Sequence, residues 1–131
     1  MSSGRREDPR LLSGQGRYLA DHLGPQTLHA GFVRAPVAAG RIATLDTAPA
    51  LEMPGVRAVF TARDFEAAGI GPLTHDPLPQ ADGGESGNYP QPILSGDTIR
   101  HLGEPVALVI AEGPAALADG IEAVTLDVTP G

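Results

Sequence analysis

Four histidines, His22, His29, His75 and His101, are the side chains best suited to moving protons or holding a metal, yet their spacing supports neither chemistry. No two of them stand four residues apart on a helix pattern, and no cysteine is present to complete a ligand set, so a metal site would have to be assembled by folding alone. His29 falls in an apolar strand pattern and is expected to be a partly buried, satisfied histidine. His75-Asp76 lies among prolines and glycines, where a solvated turn is the simpler reading. The glycine pairs Gly14-Gln15-Gly16 and Gly69-Ile70-Gly71 lack the third glycine and the strand-to-helix setting of a dinucleotide loop. Without any lysine, a phosphate loop ending in lysine is excluded. Gly84-Glu85-Ser86-Gly87 misses the spacing of a nucleophile elbow by one residue. The absence of cysteine removes thiolate nucleophiles, disulfides and iron-sulfur clusters together. The carboxylate in the most constrained setting is Glu104, between Gly103 and Pro105 at the start of an apolar run. No nucleophile stands near it in sequence, so its expected role is structural, in a solvated turn or an ion pair with a nearby arginine, rather than as a general base. Gly103, Glu104 and Pro105 are thus a candidate structural turn, and the residues offer no catalytic, cofactor-binding or metal-binding set.

The elements that must carry these residues are legible in outline. Residues 1–17 are polar and contain Asp8-Pro9, which predicts an extended N-terminal arm rather than a helix. Leu28 to Val33 and Ile42 to Asp46 read as strands on either side of Ala35-Pro36. Thr47 is placed to cap a short helix with Pro49 near its start. Val56 to Thr61 alternates, with Val56, Ala58 and Phe60 expected on one apolar face, and Thr61 able to cap a short helix through Asp64. Residues 69–98 are rich in glycine and proline and predict one long loop without regular structure. Val106 to Ala111 is apolar on both faces, as a central strand should be. A helix follows with Leu117, Ile121 and Val124 as its stripe, interrupted by Gly120, and then a strand through Val128. The pattern predicts a single α+β domain over 1–131, with a mixed sheet and a few short helices.

Composition narrows the function classes. A chain of 131 residues buries roughly two thirds of its unfolded surface and needs no staples. With aromatics at 4% and no tryptophan, the core must be built from Val, Leu, Ile and Ala. A formal net charge of -7, with all nine basic residues arginine and scattered, argues against nucleic acid. No stretch is long and apolar enough to span a membrane, and Arg5-Arg6 is not followed by an apolar export segment. The expected compartment is the cytoplasm.

Four segments, in order, carry a resemblance: Arg6-Glu7-Asp8-Pro9-Arg10-Leu11-Leu12-Ser13-Gly14-Gln15-Gly16-Arg17-Tyr18, Leu28-His29-Ala30-Gly31-Phe32-Val33-Arg34-Ala35-Pro36, Pro54-Gly55-Val56-Arg57-Ala58-Val59-Phe60-Thr61-Ala62-Arg63-Asp64, and Arg100-His101-Leu102-Gly103-Glu104-Pro105-Val106-Ala107. The last resembles the Arg-aromatic-Val-Gly-Glu-Pro-Val-Ala run of the α/β hammerhead domain that opens the large subunit of the molybdenum hydroxylases. These are the xanthine dehydrogenases, aldehyde oxidases and aerobic carbon monoxide dehydrogenases. The resemblance implies a hammerhead fold and an oxidoreductase whose molybdenum-pterin cofactor is held by a partner or by downstream domains, with none in this chain. It implies a non-catalytic domain or split subunit supporting assembly; the alternative is a stand-alone binding module. The chain departs from the family pattern at Ala35-Pro36-Val37-Ala38-Ala39-Gly40, where two histidines are lost, and at Leu126-Asp127-Val128-Thr129-Pro130-Gly131, where a closing aromatic is lost. A domain of this kind should retain apolar surface for its neighbours. Leu11, Leu12, Tyr18 and the bend from Pro36 to Ile42 are the candidate interface, for a molybdenum-binding subunit or a second copy.

Overall fold

The computed structural model describes residues 5–74 and 90–131. In chain order the elements are α1 (Asp8–Leu12), a 3-10 turn (Leu19–His22), β1 (His29–Arg34), β2 (Gly40–Asp46), α2 (Ala48–Leu51), β3 (Val56–Thr61), α3 (Ala62–Ala67), β4 (Thr98–Ile99), β5 (Pro105–Ala111), α4 (Pro114–Ala123) and β6 (Thr125–Pro130). The class is α+β, as the sequence pattern implies. The strands, expected in one mixed sheet, instead form two three-stranded sheets of order β1-β5-β3 and β4-β2-β6, every pairing antiparallel. Successive strands alternate between the two sheets. The run β5-α4-β6 looks like a crossover unit but is not one. Only Val124, in an extended conformation, separates α4 from β6, which leaves no loop to carry β6 alongside β5.

The fully apolar β5 occupies the centre of its sheet, and α4 covers one face of that sheet. Val33, Ala107, Val109 and Val124 join Ala35, Ala50, Ile99 and Val106 in the buried core, and Leu117, Ile121, Leu45, Leu126 and Val128 pack against it. Small aliphatic residues thus fill the interior, as the composition requires. Gly120 sits where α4 comes closest to the sheet: a Cβ there would lie 2.7 Å from Val56 Cγ2 and 3.1 Å from Val109 Cγ1. The helix-weakening glycine therefore permits the close packing that the stripe of Leu117 and Ile121 needs.

Four local expectations are corrected. The N-terminal arm contains a helical turn, α1, because Asp8 accepts the Arg5 N–H at 2.8 Å and Pro9 falls in the first turn, where its missing N–H costs nothing. Thr47 makes no side-chain cap; Asp46 Oδ1 accepts the Ala48 N–H at 3.0 Å instead. A register shift between Val56 and Ala58 breaks the alternation of β3, so Val56 and Val59 pack on the core while Phe60 lies on the outer face. The 69–98 segment is not wholly irregular: Leu73 bridges Gln91, Leu94 and Ser95 are buried, and Thr98–Ile99 adds a strand to β2. His75-Asp76 and Gly84-Glu85-Ser86-Gly87 lie outside the described residues.

Candidate functional site

The turn at 100–105 is held from both sides. Gly103 adopts φ 79°, a conformation that only glycine enters without strain, and its N–H donates to Ala35 O at 2.9 Å. Ala35 N–H donates to Glu104 O at 2.9 Å, and Arg34 Nη1 donates to Gly103 O at 2.9 Å. Glu104 itself is buried, 5% exposed, and its carboxylate accepts the Arg100 backbone N–H at 2.5 Å and faces Arg100 Nη1 at 3.3 Å. Pro105 follows as the first residue of β5, and its carbonyl accepts the Ser95 N–H at 2.8 Å. Of the two expected settings the Glu104 carboxylate takes the arginine-paired one, and the turn locks the start of β5 to the end of β1. The carboxylate has no hydroxyl, thiol or imidazole among these partners to act upon.

The other polar features are equally local. Asp64 closes a capping box on α3: Oδ2 accepts the Thr61 hydroxyl at 2.7 Å and the Thr61 N–H at 2.6 Å. The bond from the Thr61 side chain, then that from its backbone, holds the Asp64 carboxyl below the usual aspartate range. Beside it, Ile42, Leu45, Thr61, Arg63, Glu66 and Asp97 line an open cleft of about 400 Å³. Ser95, fully buried at its edge, donates its hydroxyl to Thr98 O at 2.5 Å and is not free to act as a nucleophile. Arg57 and Glu112 form an exposed ion pair. His22 and His101 are exposed and His29 is half-buried on β1.

Of the five candidate interface residues, four are exposed and Ile42 is not. Leu11 and Leu12 stand on α1, which buries no residue, with Leu12 87% exposed; Tyr18 is 76% exposed further along the same segment. Pro36 is exposed, whereas Ile42 turns inward, packs against the core, and donates its N–H to Asp97 O at 2.9 Å. A different apolar surface lies on β1-β5-β3, on the face opposite α4. Cross-strand registers align Phe32 with Leu108 and Phe60, and the neighbouring row aligns Ala30 with Ile110 and Ala58. Phe32 is 42% and Phe60 40% exposed. Arg34 lies over the Phe32 ring, with Cζ 5.3 Å from its centroid, and so connects this face to the turn at Gly103. Alternation in His29–Arg34 could have pointed to Phe32. Phe60 could not be found that way, because the bulge inverts its side.

Among the described residues no group of three or more His, Cys, Asp or Glu side chains converges, and no buried side-chain polar atom lacks a partner that a ligand would supply. No helix among them is long and apolar enough to cross a membrane.

Comparison with known proteins gives these features a setting. Residues 13–130 match the family model described as aldehyde oxidase and xanthine dehydrogenase, a/b hammerhead domain. The nicotine 6-hydroxylase large subunit of Paenarthrobacter nicotinovorans is 44% identical over 126 residues, which are 95% of this chain and 15% of that protein. The carbon monoxide dehydrogenase large chain of Hydrogenophaga pseudoflava is 36% identical, over 93% of this chain and 14% of that one. The crystal structure of quinoline 2-oxidoreductase from Pseudomonas putida 86 superposes with a TM-score of 0.86 at 32% identity, covering 99% of this chain and 16% of that chain. The chain thus spans about one seventh of the length of these relatives.

Proposed function

The chain belongs to the a/b hammerhead domain family of aldehyde oxidase and xanthine dehydrogenase, and from that premise we propose that it is a non-catalytic assembly domain of a molybdenum hydroxylase. One observation carries the reading: nearly the whole chain matches one small portion of each relative, and that portion brings no convergent donor set among its described residues. Its own residues hold a shape. The Arg100–Glu104 turn ties the start of β5 to the end of β1, α4 packs on the β1-β5-β3 sheet, and a polypeptide that contains the molybdenum-pterin group supplies the redox chemistry. The proposed partner is that molybdenum-binding polypeptide and the proposed compartment the cytoplasm.

The test is to tag the chain in its own host, purify it gently, and measure molybdenum and the accompanying polypeptide. Molybdenum together with a large-subunit sequence is expected. The same chain expressed alone should contain neither molybdenum nor hydroxylase activity toward aldehydes or purines. Near-stoichiometric metal in the lone chain would overturn the proposal. The exposed face of β1-β5-β3 favours one competing reading, a stand-alone binding module, which predicts a partner without molybdenum. A monomer by light scattering at high concentration, with no molybdenum-binding polypeptide recovered from the host, would favour that alternative.

A further inference from the structure

We propose that the outer face of β1-β5-β3, centred on Phe32, Leu108 and Phe60, is the surface on which the remainder of a molybdenum hydroxylase large subunit seats. This rests on the assembly reading above and names its interface. The face is apolar across all three strands, since the Phe32-Leu108-Phe60 row is backed by Ala30, Ile110 and Ala58. Its two phenylalanines retain 42% and 40% of their exposure in a protein with only three phenylalanines in all. Water contact of this kind is costly, and aromatic rings are enriched where proteins meet.

Area and relative length select the occupant. Phenylalanines that bury 150–250 Å² when covered expose roughly 60–100 Å² each at this fraction, so with the partly covered Leu108 and Ile110 the face offers a few hundred Å². A stable complex of two free chains needs about 800 Å² per partner, which this face alone does not supply to a second copy. A far larger polypeptide extends the contact beyond the row and, where it is covalently joined, meets the face at high effective concentration. The relatives consist of such polypeptide over about 84–86% of their length. Arg34 defines the polar rim: its guanidinium lies over Phe32 and is anchored on Gly103 O, leaving its remaining N–H groups for an acceptor on the occupant.

The test is hydroxyl-radical labelling of the tagged chain in the assembly purified from its host, compared with the chain expressed alone. Phe32 and Phe60 should be labelled severalfold more slowly in the assembly, while Leu51, 52% exposed on α2, which packs with α4 on the other side of the sheet, should change little. The double variant Phe32→Ser, Phe60→Ser should lose most of the molybdenum-bearing polypeptide on purification, and its unchanged circular dichroism when expressed alone would show that the loss is not misfolding. Equal labelling of both phenylalanines in an assembly that does contain molybdenum would overturn the assignment of this face and leave the assembly reading intact. Recovery of no large-subunit polypeptide would overturn both.

Discussion

Glu104 shows how one carboxylate is committed to structure. Buried beside Gly103, it satisfies the Arg100 N–H and faces a guanidinium that is itself more than half exposed, so solvent screens part of the ion pair. Replacing it with alanine strands the backbone donor, and we expect Glu104→Ala to lower unfolding free energy by about 1–2 kcal/mol in denaturant titrations. Glu104→Gln should lose less, because an amide oxygen still accepts from Arg100. A second prediction concerns Gly103, where nothing lies within 4 Å of the place a methyl group would occupy, so Gly103→Ala carries only the left-handed backbone penalty. Its expected cost is about 1–2 kcal/mol. Equal stability of Gly103→Ala and wild type would show that the turn relaxes away from φ 79°. Both residues stand out in the sequence as a Gly-Glu-Pro turn. Arg100 is legible as the nearby arginine, four residues before Glu104, whereas Arg34 and Ala35 are not, since they come from a strand end almost seventy residues away.

At the scale of elements, α4 and α3 make opposite demands on glycine and aspartate. Alanine in place of Gly120 gains about 1 kcal/mol of helix propensity. Its Cβ must displace the stiff side chains Val56 and Val109, and overpacking of this kind costs about 1–3 kcal/mol, so Gly120→Ala should be net destabilising. Gly113→Ser, at the open N-terminus of the same helix, should be neutral or slightly stabilising, and thermal melts of the two variants would separate packing from propensity. On α3 the folded-state pKa of Asp64 is depressed by the Thr61 bonds. The capping contribution is therefore present above the ordinary aspartate pKa of about 4 and is lost as pH falls through the lower folded value. Wild type should exceed Asp64→Asn in stability at neutral pH, with the difference closing only in acid. A difference that stayed constant down to pH 2, on the order of two units below that pKa, would remove the ionised carboxylate from the cap.

For the whole molecule, the N-terminal segment and the two sheets should be separable. Since α1 buries no residue, deletion of residues 1–17 is expected to change stability by no more than about 0.5 kcal/mol, in line with other surface changes. Chemical denaturation of the truncated chain checks this, and unfolding on truncation would place the arm in the core. If Leu11, Leu12 and Tyr18 also contact a partner, the same deletion should weaken association while the Phe32 face retains the larger share.

Local pattern was enough for the α+β class, the small-aliphatic core, β5 as a central strand and the Leu117-Ile121 stripe of α4, because period and burial preference are properties of neighbouring residues. Val124, expected to continue that stripe, is buried just past the helix end in an extended conformation. The sequence also carried the family resemblance, through four ordered segments. That the six strands among the described residues form two antiparallel sheets is open until the chain is folded, since which strands pair depends on contacts between distant segments and not on local pattern. Tertiary structure decided as well that Phe60 faces out and Ile42 in: one inserted residue in a strand reverses every side chain beyond it, and a bulge leaves no mark on apolar alternation. The row of Phe32, Leu108 and Phe60 exists only once those registers are set.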